Sequence, residues 1–210
     1  MKKFLMLLIA ACLMAPVYAD SAKDLRKAKE KEKKEKMKEY KKEGWKLFGS
    51  SRTLDVKLLE HYQKLEELGA DGHEIVGIAT NVKSKSTAHQ RAITDAATSY
   101  AQAAGRTLKG RILQDIADNE SLDDDAAFNH FYAAFESQVE KEIQGEMEES
   151  YSVIHDNGNG TYDLQTFFIV SEGQASRARM RALENAMKES EVAQKHAQKI
   201  SDFVKAGFEY

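Results

Sequence analysis

Two alternating stretches flank the pentapeptide Asp156-Asn157-Gly158-Asn159-Gly160. Asn-Gly pairs accept positive φ, the backbone conformation that tight hairpin turns require. The first stretch, Met147 to His155, places Tyr151 and Val153 on one face. The second, Tyr162 to Val170, aligns Tyr162, Leu164, Thr166, Phe168 and Val170. The chain is thereby committed to an antiparallel hairpin. An isolated hairpin is at best marginally stable in water, so the remaining sequence must cover it with further strands and helices. A calcium loop is a different reading of the turn. It needs oxygen side chains at the first, third and fifth positions, and the third and fifth are Gly158 and Gly160.

The covering elements follow from periodicity. Leu54, Leu58, Leu59, Tyr62 and Leu65 recur at helical spacing, which predicts a helix over Thr53 to Leu68, ended by Gly69-Ala70-Asp71-Gly72. His73 to Lys83 reads as a strand with Val76, Ile78, Thr80 and Val82 on one face. Ser86 or Thr87 then caps a helix rich in small residues, Ala88, Ala92, Ala96, Ala97, Ala101, Ala103 and Ala104, joined by Ile93, Tyr100, Leu108, Ile112, Leu113 and Ile116. Such a stripe lets a helix lie close to a sheet, and Gly105 and Gly110 loosen or bend its second half. Asp123-Asp124-Asp125 supplies a cap for the next helix, whose apolar stripe runs from Phe128 through Phe131, Tyr132, Phe135 and Val139 to Ile143. Ser171 and Gln174 form a capping box for a last helix with Ala175, Ala178, Ala182, Ala186, Ala193, Ala197, Ile200 and Val204 inside. Arg177, Arg179 and Arg181 crowd its first turns, either as solvated side chains or as a small basic contact patch. The terminal Phe208-Glu209-Tyr210 is an aromatic end that tucks against the core. The expected fold is α+β: a small, mainly antiparallel three-stranded sheet packed with three or four helices in one domain over residues 44–210.

A separate segment precedes it. Lys2 and Lys3, the apolar run Phe4 to Met14, and Ala15-Pro16-Val17-Tyr18-Ala19 read as a signal peptide over residues 1–19, cleaved after Ala19. The apolar run is too short to cross a hydrocarbon core, which takes roughly 20 residues. Ile9-Ala10-Ala11-Cys12 also fits a lipobox, in which case Cys12 is lipidated and tethers the protein. Cys12 is the only cysteine. Cleavage after Ala19 removes it, leaves no disulfide, thiol catalysis or cysteine ligation, and shifts the net charge from −3 to −5 as Lys2 and Lys3 depart. Residues 20–43 then form a lysine-rich, helix-favouring, solvated arm of net charge +4 on a body of −9. The arm reads as a charged spacer, or as a peripheral contact to anionic lipid headgroups or an envelope polymer. Nucleic acid is disfavoured by the exported compartment and by Tyr40 being the arm's sole aromatic.

Motifs with local chemistry are lacking. The six histidines, 61, 73, 89, 130, 155 and 196, include no i, i+4 pair. There is no Gly-x-Ser-x-Gly elbow, phosphate loop or dinucleotide fingerprint, so no cofactor, metal or catalytic residue is assigned. A triad assembled from distant residues leaves no such trace. The order of elements, with Val76-Gly77-Ile78-Ala79, the run Ala88 to Ala104 and Phe167-Phe168-Ile169-Val170, resembles the Lpp-twenty type of envelope lipoproteins and the N-terminal domain of the flagellar protein FlgT. Glu43-Gly44-Trp45-Lys46-Leu47-Phe48 after a lysine-rich arm also resembles uncharacterised exported proteins of Bacteroidetes. The resemblance implies an α+β envelope domain and brings no known catalytic residues to carry over. The expected role is a periplasmic or outer-envelope binding or structural component, with an envelope protein or cell-surface component as partner. A hydrolase with dispersed catalytic residues and a binder of an anionic envelope polymer are the alternatives. Intact-mass analysis of protein taken from the native envelope is expected to give a chain starting at Asp20 without acyl groups. A mass starting at an acylated Cys12 selects the tethered form instead.

Overall fold

A computed structural model describes residues 21–115 and 125–207. The leader with Cys12, Ile116, the first two aspartates of the acidic triplet and Phe208–Tyr210 lie outside the described residues. The hairpin forms as its turn chemistry dictates. Strands β3 (Glu148–Asp156) and β4 (Tyr162–Ser171) pair antiparallel. Gly158 and Gly160 take φ of 72° and 79°, and the Asp156 carboxylate accepts the Gly158 amide at 2.9 Å.

The sheet has four strands rather than three. β1 (Lys46–Phe48) pairs with β3, and β2 (Gly72–Val82) pairs with β4, giving the order β1-β3-β4-β2, antiparallel throughout. β1 holds the Leu47 and Phe48 cluster, but three residues are too few to show a period of two. Helices α1 (Ser21–Glu43) and α2 (Leu54–Leu68) cover one face. α3 (Lys85–Asp115) lies on the other, over β2 and β4, and α4 (Asp125–Gln144) packs between α3 and α5 (Glu172–Lys188). Short α6 (Glu191–Lys195) and α7 (Ala197–Lys205) close that side. The predicted single last helix is thus three segments. It breaks because Ser190 is extended and its side chain accepts the Ala193 amide, starting a new helix. The predicted Ser171–Gln174 capping box is present at the start of α5. The cap of α3 is Ser84, whose hydroxyl accepts the Thr87 amide, two or three residues earlier than expected.

Val76, Ile78 and Thr80 share a face of β2 as expected, but Val82 does not, and the more deeply buried face is the other one. Ile75, Gly77, Ala79 and Val82 are buried, whereas Ile78 is 47% exposed and Thr80 is exposed. Alternation alone favours neither face here, because branched apolar residues stand on both. Helix approach decides. A Cβ on Gly77 would lie 1.8 Å from the Ala92 carbonyl oxygen, so α3 comes down where β2 has its smallest residue. Val82 joins that face because Asn81 adopts φ 55° at a register shift. Gly105 likewise admits α4, since a Cβ there would meet the Glu136 carboxyl at 2.1 Å; its role is close packing rather than bending.

The main core lies between α3, α4, α5 and the sheet, with Phe131, Phe135, Leu108, Ile112 and Ile143 fully buried. On the opposite face Leu58 of α2 packs with Tyr151, Val153 and Phe167. α1 contributes Met37 and Tyr40 to this second cluster. The arm is therefore helical but not wholly solvated. Lys29, Lys33 and Lys36 share the inward side with Met37 and Tyr40, and Lys36 stands 4.4 Å from the Phe167 ring centroid. Part of the arm's positive charge thus turns toward the acidic body.

Gly77→Ala is expected to cost about 1–3 kcal/mol, because the new methyl meets backbone that moves only with the whole helix. Gly105→Ala is expected to cost less, since the Glu136 side chain rotates away. Urea denaturation of the two variants gives the ranking.

Candidate functional site

Helix α2 presents Leu54, Leu58, His61 and Leu65 toward the sheet. Leu59, expected on that stripe, is exposed instead, and His61 takes an inner position. The imidazole is 0% exposed. Burying a polar ring without partners is costly, so both nitrogens must be satisfied. Nε2 lies 2.5 Å from Glu74 Oε2 on β2, and Nδ1 lies 3.0 Å from Ser150 Oγ on β3. β4 runs between those two strands. The ring therefore spans β4 and ties the helix to both neighbours. Tyr151 and Phe167, stacked with centroids 4.4 Å apart, meet the imidazole edge-on.

The chemistry of the chain Glu74–His61–Ser150 follows from its ends. Burial pushes the Glu74 carboxyl up, but the His61 hydrogen bond and the Lys36 and His61 charges outweigh it, so Glu74 sits below the usual carboxylate range. An ionised carboxylate only accepts. Nε2 therefore carries a proton, and in the tautomer so selected Nδ1 accepts from Ser150 Oγ. Burial pushes the nearby Tyr40, Tyr62 and Tyr151 phenols well above their ordinary range, so they stay neutral.

Ser150 is placed by an irregularity in the ladder. Glu149 pairs with Phe168 and Tyr151 with Phe167, which leaves Ser150 as the extra residue of a bulge. It lines two adjoining clefts. One, of about 110 Å3, is bounded by Lys57, Glu60, Lys64, Glu148 and Ile169. The other, of about 370 Å3, is bounded by Phe48, Ser50, Lys57, His89 and Glu149. Glu149 is fixed from both sides, accepting from Ser152 Oγ at 2.6 Å and lying 2.9 Å from His89 Nε2. The clefts lie where the sheet edge is open. β1 pairs only with Ser152–Ile154, so Glu148–Tyr151 have no strand neighbour on that side among the described residues. Gly49, at φ 69°, turns the chain away there.

The three arginines singled out from sequence are not one exposed patch. Arg179 is 0% exposed and donates to the Tyr100 hydroxyl at 2.7 Å and to Glu172. Glu172 in turn meets His73 at 3.1 Å, joining the start of β2 to the start of α5. Arg177 and Arg181 bracket Glu146 at 3.1 and 2.8 Å, and Arg181 also reaches Glu142 at 2.6 Å. The Arg181 hydrogen bond holds the Glu146 carboxyl below its usual range against the opposing effect of desolvation, with Arg177 assisting. Their charges are matched locally. Cys12 lies outside the described residues. Among the described residues no helix is long and apolar enough to cross a membrane, and no group of three or more His, Cys, Asp or Glu could hold a metal ion.

No family model matches the chain, and no curated protein or solved structure does either. The site thus rests on its own geometry. Sequence reasoning passed over His61, Glu74 and Ser150 because they lie on three separate elements. One signal was present: His61 falls three residues after Leu58 and four before Leu65, on the stripe that faces inward.

Glu74→Gln is expected to destabilise the protein at pH 7 by about 1–3 kcal/mol, the worth of a hydrogen bond to a charged group. The folded-state pKa of Glu74 is depressed, so this stability is fully present above the ordinary carboxylate pKa and is lost as pH falls through the depressed value. The gap between wild type and variant, measured by urea unfolding, should close on that descent.

Proposed function

We propose that the protein is an exported cell-envelope component that works by binding, taking an extended segment of an envelope protein or cell-surface component along the free edge of β3. The observation that carries this reading is the end of β1 at Phe48, which leaves Glu148–Tyr151 without a strand neighbour on that side among the described residues, beside the two clefts. A strand edge presents a row of backbone donors and acceptors, and adding a strand is a recurrent way to satisfy them. Side chains of Lys57 and His89 flank this edge from the two faces and would read alternate residues of the incoming segment.

The arm is the weaker candidate for a contact surface. Its inward stripe is engaged with the body, and its exposed side alternates lysine and glutamate, which dilutes any field toward an anionic surface. Export rests on the three-part leader, and placement in the periplasm or at the outer envelope follows from it. The likeness to envelope lipoproteins agrees with a binding role.

A photo-crosslinking residue at Glu148 or Ser50, in the full chain expressed with its leader in the native host, is expected to give a discrete adduct with one envelope component. The same residue at Gln102 or Glu184, on the outer sides of α3 and α5, should not. Equal adducts from all four positions, or none from the edge, overturn the reading.

A further inference from the structure

We propose that Ser150, His61 and Glu74 form a hydrolytic triad, with Ser150 as the nucleophile toward carboxylic esters of short acyl chains. Three independent features converge on Ser150. Its hydroxyl is 3.0 Å from a ring nitrogen that the Glu74 contact leaves as an acceptor. The bulge takes it out of the ladder, a device that re-aims side chains and recurs beside active sites. It also stands on the walls of both clefts, whereas its partner His61 is sealed beneath. A hydroxyl, a base and an orienting carboxylate in series are recognised by geometry and role rather than by chain order. Here Nδ1 faces the hydroxyl and Nε2 faces the carboxylate, and either nitrogen of imidazole serves as base once the other holds the proton.

The steps close in atoms and charge. Ser150 Oγ attacks the ester carbonyl carbon while its proton passes to His61 Nδ1, and the carbonyl π pair moves onto oxygen. The imidazolium keeps its Nε2 proton on the Glu74 carboxylate. Lys57, on the wall of both clefts and paired with Glu60 at 3.0 Å, is the cation that would turn to the oxyanion, with the outward amides of the free β3 edge beside it. The intermediate collapses, and the alcohol departs with the proton from Nδ1. Water entering from the cleft beside Ser150 gives its proton to Nδ1, which the acylated side chain uncovers by rotating off the otherwise buried ring, and attacks the acyl-Ser150 ester. The acid leaves, the proton returns to Oγ, and the enzyme is restored. The substrate class follows from the wider cleft. Its volume of about 370 Å3 lies near the lower end of ligand pockets, which run roughly 300–1,000 Å3, and Phe48 gives it an apolar wall for a short acyl chain.

The proposal stands apart from the binding reading, because its test needs no partner. The purified full chain is treated with a fluorophosphonate probe and assayed with p-nitrophenyl butyrate. A phosphonyl adduct mapped to Ser150 is expected, with turnover falling about a hundredfold in Ser150→Ala and about tenfold in Glu74→Gln, both checked for folding by circular dichroism. A purely structural tie between α2 and the sheet produces no covalent adduct. Folded wild type without an adduct on Ser150, or turnover unchanged in Ser150→Ala, overturns the proposal.

Discussion

The approach of α3 to β2 at Gly77 sets the arrangement of everything else. With the Ala92 carbonyl where a side chain would be, that face of β2 has no alternative occupant. A strand alternates with a period of two, so assigning Ile75, Gly77 and Ala79 to α3 assigns Glu74 and Val76 to the other side. Glu74 then stands on the side of the layer made by α2, partly exposed, with its carboxylate against the buried His61 ring. One glycine contact on one face thus places Glu74 opposite His61 on the other.

The tie through His61 joins a fully buried ring to two partly exposed partners, Glu74 and Ser150. Each member satisfies the next, and the ring is shielded by the Tyr151–Phe167 stack and by Leu58. In a low-dielectric setting such a chain fixes one register of helix against sheet, and a half-satisfied version would be worse than an apolar contact. The arm reinforces it from outside. Lys36, over Phe167, adds positive charge that favours the ionised Glu74. The excess of lysine in the arm therefore has a structural use, which its composition alone did not reveal.

Features with a local cause were legible in the sequence. The hairpin, the capping box at Ser171 and the alanine-rich helix each depend on residues within one turn or one strand, and each is present. Features decided by distant contacts were not. Which face of β2 is buried more deeply depends on the approach of α3 at Gly77. Arg179 looked like a surface residue beside Arg177 and Arg181, yet a helix turns about 100° per residue, and two steps carry it from one side toward another. There it meets Tyr100 and Glu172, 79 and 7 residues away. The candidate site joins residues 89 and 13 apart in sequence, a separation that no local pattern spans.

The open edge and the Ser150 bulge belong together physically. A bulge strengthens local twist and disrupts pairing, so a neighbouring strand continued past Phe48 would meet an irregular partner. Gly49 ends β1 one residue before that mismatch begins, at a φ that favours glycine. The clefts are the space left by that early exit, bounded by α2 on one face and by His89 of α3 on the other. Extending β1 by two residues would place it beside Tyr151 and Ser150. Accessibility of the hydroxyl and availability of the edge therefore share a cause, the turn at Gly49, and a ligand lying along the edge would bring its own backbone next to a serine whose hydroxyl faces the buried His61 ring.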